Sequence, residues 1–244
     1  LPHLKDIDHA VLTVGGWYDA EDLYGPLNIF KKIEADGRAK QNTLIMGPWS
    51  HGDWSRERGH QIINHIYFGD SISTFYQKNI ETPFFTYHLK GKGELDLPKA
   101  YLFDPGLKEW QKFEVWPPQV PSTRLTFGEN GRLFINNPGN PEATFEYISD
   151  PAKPVPYKST NEGVPFTPRS FMTDDQRHAS TRPDVLTFTT DVLEEDLTLA
   201  GEILAKLKVA LSTTDADFVV KLIDVHPYDE PNTIATPQNV TMSG

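Results

Sequence analysis

The 244-residue chain carries 23 Lys and Arg against 34 Asp and Glu, a net charge of −11 and a pI near 5.1. So acidic a surface argues against nucleic acid or an anionic membrane as the main partner, and no apolar run approaches the roughly 20 residues that cross a bilayer. Cysteine is absent, which excludes disulfides, and the apolar content suits one large globular domain or two small ones.

The first elements read as strand, turn, helix, strand, turn. Ala10–Val14 (AVLTV) is a short β-branched run closed by Gly15 and Gly16, the pattern of a buried parallel strand. Leu23, Leu27, Phe30 and Ile33 then recur at helical spacing, and Pro26 is tolerated in a first turn. Thr43–Met46 (TLIM) is a second strand, stopped by Gly47 and Pro48. Asp19 therefore falls just past one strand and His51 just past the next. In open α/β sheets chemistry collects at that edge. A carboxylate on one imidazole nitrogen, with the other left free, makes two-thirds of a nucleophile–base–acid triad. Taken singly, Asp19 could be a helix N-cap and His51 an ordinary loop residue. Their matching strand–turn contexts, among Trp17, Tyr18, Trp49 and Trp54, favour catalysis.

These words, GGWYDAEDLYG and LIMGPWSHG, resemble the acid and base motifs of the X-Pro dipeptidyl-peptidase/cocaine esterase family of serine hydrolases. Within it they are most similar to the α-amino-acid ester hydrolases and glutaryl-cephalosporin acylases. The resemblance implies an α/β-hydrolase catalytic domain followed by a jelly-roll (galactose-binding-like) β-sandwich. It places the triad acid on Asp19 and the base on His51, and suggests Trp17, Tyr18, Glu21, Asp22 and Trp49 as substrate contacts. Relatives that take α-amino substrates recognise the ammonium with acidic side chains, a role open to Glu21 and Asp22; the plainer role is to complement a helix dipole. The family's G-x-S-Y-x-G elbow has no counterpart here. The nucleophile, the oxyanion tyrosine and the helical cap are thus expected on sequence preceding Leu1, and residues 1–244 alone are expected to be inactive.

His60 and His65 are five apart and do not share a helix face, so no metal pair is read there. Gly69–Ser73 falls one residue short of a G-x-S-x-G elbow; α/β-hydrolases place the serine first, and a cap explains Ser71. A helix is predicted over 71–90, kinked or split by Pro83 and closed by Gly91. FFTYHLKGKG resembles the family's last catalytic-domain helix, so the catalytic part is assigned to 1–93 and a truncated β-sandwich to 94–244.

Period-two strands follow at 99–103, 109–116, 123–127 and 132–135, separated by Pro- and Gly-rich turns. Seven prolines between Pro138 and Pro168 preclude regular ladders there. DPAKPVPY (150–157) and DQRHASTRPDVLTFTT (175–190) again resemble family motifs; the plain reading pairs Arg177 and Arg182 with Asp174, Asp175 or Asp184. Further strands are predicted at 185–190, 203–213 and 217–227. Asp217 and Asp224 fall on opposite faces of a regular strand, which argues against calcium. The expectation is a serine hydrolase of amide or ester bonds that needs no metal or cofactor and acts on a small peptide, amide or ester; the resemblance to exported enzymes implies a periplasmic or secreted protein, with a cytoplasmic one the alternative. Association with the N-terminal segment or a homo-oligomer is the expected assembly. The alternative is a non-catalytic β-sandwich binding module carrying an α/β-hydrolase remnant.

Overall fold

The computed structural model describes residues 2–56, 59–140, 142–159 and 169–227. These fall into two compact units, one of residues 2–116 with 169–174, the other of residues 117–159 with 175–227.

In the first unit, strand β1 (Ala10–Gly16), helix α1 (Tyr24–Asp36) and strand β2 (Gln41–Gly47) form a parallel crossover. Seven residue pairs are in register, from Ala10 opposite Gln41 to Gly16 opposite Gly47. Pro26, Phe30 and Ile33 face inward from α1, and Gly37, at φ 68°, ends it by donating to the Ile33 carbonyl. Successive residues of β2 point to opposite faces, and both faces are covered. Leu44 and Met46 pack with Phe30, Ala100 and Leu102, whereas Ile45 packs with Ile63, Phe68, Ile72, Tyr76 and Ile80. Two-sided burial is why β2 reads as an unbroken apolar run.

A hairpin of β3 (His60–Ile63) and β4 (Ile66–Asp70) leads into α2 (Ile72–Tyr76), a π-helical turn at Gln77–Glu81, and α3 (Thr82–Lys90). The expected break at Pro83 takes this form. Proline supplies no N–H and its ring crowds the carbonyl four residues back, so the preceding turn widens. Gly91, at φ 60°, closes α3.

Strands β5 (Ala100–Asp104) and β6 (Glu109–Phe113) occupy their expected segments and lie within the first compact unit. β5 pairs parallel with β2, and β6 antiparallel with β5, giving the sheet order β1-β2-β5-β6. The two compact units divide at 116–117. Alternation announces a strand without saying which sheet it joins. The helices α2 and α3 provide the crossover that a parallel partner of β2 requires.

Among its described residues the second unit contains one hairpin, β7 (Leu125–Gly128) with β8 (Arg132–Ile135). Residue 189 bonds beside it: the Thr189 N–H donates to the Gly131 carbonyl and the Leu133 N–H to the Thr189 carbonyl. Phe188 stacks on Phe127 and meets Phe145 edge-on. Arg177 pairs with Asp175, and Arg182 with Asp184, so the plain reading of both arginines holds. Arg182 also donates to the Lys153 carbonyl and fastens the short helix α4 (Arg177–Ser180) to the proline-rich stretch. The predicted strands at 203–213 and 217–227 form no ladder among the described residues, and the predicted strand at 185–190 is reduced to an isolated bridge at Thr189. Leu204, Val209, Val219 and Val225 are exposed there. Side-chain alternation survives in the sequence, but a ladder needs a hydrogen-bonded neighbour.

Candidate active site

The parallel register of β1 and β2 brings two loops to one edge of the sheet. They stay joined beyond the ladder: the Trp17 N–H donates to the Gly47 carbonyl and the Tyr18 N–H to the Trp49 carbonyl. Asp19 and His51 follow directly.

Asp19 is buried and uses each oxygen differently. Oδ1 accepts the backbone N–H groups of Glu21 (2.9 Å) and Asp22 (3.0 Å), while Oδ2 lies 2.9 Å from His51 Nδ1. One oxygen thus braces the turn at residues 19–22 and the other meets the imidazole; Asp19 is not the N-cap of α1, a position held by Leu23. An ionised carboxylate only accepts, so the proton sits on Nδ1 and Nε2 carries the free lone pair. No hydrogen bond reaches Nε2 among the described residues, and the His51 side chain is 55% exposed. The hydrogen bond that His51 donates to Asp19 raises the imidazole pKa above its ordinary value; desolvation opposes this, and the charges of Asp19, Glu21 and Asp22 add to it. A histidine so held can take a proton at Nε2 and keep its orientation.

The other expected contacts divide. Glu21 is exposed, with Oε2 3.8 Å from His51 Nδ1, on the carboxylate side of the ring. Asp22 is exposed as well. Both precede α1, which starts at Tyr24 with no acidic residue in its first turn, so they are not the first-turn residues the sequence suggested.

Trp49 does not line a substrate surface. It is wholly buried, donates its indole N–H to Ser73 Oγ (3.1 Å), and packs against Trp54, Tyr76 and Trp110. Aromatic residues beside a histidine motif serve packing as well as binding, and here packing takes Trp49. Trp17 is likewise committed: its indole N–H reaches the Phe103 carbonyl (2.8 Å) and its ring meets Trp116. Tyr18 packs on Phe68, with its phenol pushed up to about 12 by burial.

Ser71 is exposed at φ 55°, between β4 and α2, and no hydrogen bond links it to His51 or Asp19 among the described residues. His60 lies on β3 and His65 in the hairpin turn; no three His, Asp or Glu side chains converge as metal ligands among the described residues. Sequence reasoning passed over Asp53, which is 1% exposed two residues beyond His51. Its only signal was a carboxylate among the aromatic residues of WSHGDW.

Comparison with known proteins identifies the family. Residues 86–241 match the X-Pro dipeptidyl-peptidase C-terminal non-catalytic domain, and residues 1–53 match the X-Pro dipeptidyl-peptidase itself. The chain belongs to the X-Pro dipeptidyl-peptidase/cocaine esterase family of serine hydrolases. It is 30% identical over 229 residues to the cocaine esterase of Rhodococcus sp. (strain MB1 Bresler), covering 88% of this chain and 38% of that protein. A putative serine esterase of Mycobacterium tuberculosis (strain CDC 1551 / Oshkosh) is 22% identical over 223 residues, 89% of this chain and 33% of that one. Among solved structures, an aminopeptidase from a marine sediment Thaumarchaeota archaeon aligns at TM-score 0.68 and 32% identity, over 76% of this chain and 31% of that chain. An α-amino acid ester hydrolase aligns at TM-score 0.66 and 31% identity, over 78% of this chain and 32% of that chain. The chain thus spans about a third of the length of the relatives it matches.

Proposed function

We propose that this chain supplies the acid and the base of a Ser-His-Asp hydrolase of amide or ester bonds, with the nucleophilic serine on sequence outside residues 1–244. The observation that carries the reading is the 2.9 Å bond between Asp19 Oδ2 and His51 Nδ1, at the ends of adjacent parallel strands. The serine Oγ attacks the scissile carbonyl carbon while His51 Nε2 takes its proton. Collapse of the tetrahedral intermediate breaks the bond to the leaving amine or alcohol, which receives that proton from His51. Water then attacks the acyl-enzyme by the same route and regenerates the serine. Asp19 holds the tautomer and stabilises the imidazolium throughout.

Glu21 and Asp22 are read here as a pair that recognises a substrate ammonium. Glu21 stands beside His51, and no first-turn position accounts for either residue. The second unit is read as part of a jelly roll, on the β7–β8 hairpin and the family match. Export to the periplasm or medium, and assembly with the N-terminal segment, complete the proposal. Labelling of the whole protein with a fluorophosphonate, followed by a panel of X-Pro amides, α-amino esters and β-lactam side-chain amides, tests it. Labelling of a serine upstream of residue 1 supports the reading; a protein that hydrolyses the panel while refusing the probe overturns it.

A further inference from the structure

We propose that Asp53 is a positioning residue for His51, and that Arg169 clamps it in place from 116 residues further along the chain. Asp53 Oδ2 gathers four donors: the Ser50 N–H (3.1 Å), the Ser50 hydroxyl (2.8 Å), the Gln61 amide (3.4 Å) and the Arg169 guanidinium. The Asp53 N–H returns a bond to the Ser50 carbonyl, so residues 50–53 form a closed turn with His51 inside it. The turn is tied down from outside too. Ser73 Oγ donates to the Asp53 carbonyl (3.0 Å), and Gln61 also donates to the Pro48 carbonyl (2.8 Å). Arg169 stands in a 3₁₀ turn, Arg169–Thr173, that packs on β3.

A buried carboxylate is costly without a cation and strong donors. Arg169 supplies the cation, and its side chain remains 42% exposed. Among the described residues the His51 ring makes its one hydrogen bond through Nδ1 and meets Trp54 edge-on, so its approach to Asp19 depends on the turn that carries it. The inference rests on His51 as the base for its catalytic consequence, but the geometry can be tested without catalysis.

The test is an NMR titration of the His51 imidazole in the protein carrying Arg169→Met, Arg169→Lys, Asp53→Asn or Ser50→Ala. The charges facing His51 (Asp19, Glu21 and Asp22) are untouched in all four, as is Arg56, which lies against Gly52. Positioning and through-space charge make opposite predictions for Arg169→Met. Removing a cation by itself raises the imidazole pKa, whereas a loosened turn weakens the Asp19 bond and lowers it. The expected result is a fall of about 0.3 unit or more, recovered by Arg169→Lys and reproduced by Asp53→Asn. Ser50→Ala, which deletes one bond, gives a smaller fall and serves if the charge variants do not fold. Glu34→Gln, which opens the distant pair with Lys99, provides a destabilised control and leaves His51 unmoved. An unchanged or raised pKa in Arg169→Met, with only the melting temperature reduced, overturns the proposal. Failure of the fluorophosphonate labelling would remove the catalytic reading and leave this result standing.

Discussion

Gly16 and Trp49 approach so closely that a Cβ on residue 16 would lie 2.1 Å from the Trp49 carbonyl oxygen. That contact sits between the last rung of the β1–β2 ladder and the Asp19–His51 bond. Gly16→Ala must push the two loops apart, and the neighbour it meets is backbone, which cannot rotate away. Overpacking of this kind costs about 1–3 kcal/mol. The expected outcome is a lower urea midpoint together with loss of the raised His51 pKa. Retention of that pKa would show that the loops are held independently of residue 16.

Asp19→Asn removes the charge that favours the imidazolium while keeping an oxygen for the Glu21 and Asp22 N–H groups. The His51 pKa should fall back toward about 6.5. Because the folded value is raised, the pair adds stability that is fully present below the unfolded pKa and is lost as pH rises through the folded one. Urea melts of the native protein and the variant should differ more at pH 5 than at pH 9. A gap of the opposite sense would place the cause of the raised pKa elsewhere.

Trp49→Phe separates packing from substrate binding. The substitution leaves space in the buried aromatic cluster and deprives Ser73 Oγ of its indole donor. A loss of about 1–3 kcal/mol in stability is expected, with KM changed no more than folding explains. A rise in KM at unchanged stability would return Trp49 to the substrate site.

Glu21→Gln and Asp22→Asn in the whole protein should raise KM for α-amino esters more than for their des-amino analogues. Equal effects on both would leave these carboxylates as tuning charges on His51 alone.

Much of the site was legible because β1, β2 and their glycines are local signals. A parallel strand pair fixes which loops share an edge, and Asp19 and His51 needed nothing more. Trp49 was misread because position beside a histidine does not tell a ring that lines a pocket from one that fills a core. The pairing of β5 was hidden for a related reason: period two marks β5 as a strand, whereas its partner β2 lies more than fifty residues earlier. Asp53 was invisible because three of its partners, Gln61, Ser73 and Arg169, come from elements that only the fold brings together. The strands predicted at 203–213 and 217–227 follow from alternation alone, and alternation does not supply a hydrogen-bonded neighbour.

The central claim is that His51 is the base and Asp19 its orienting acid. The most direct measurement is kcat/KM of the whole protein on an activated acyl ester, for the native form and for His51→Gln and Asp19→Asn. The account predicts losses of about 10³-fold or more for each, with the double variant little worse than His51→Gln because the two act as one unit. Activity within about tenfold of native in His51→Gln, from protein that melts normally, would contradict it.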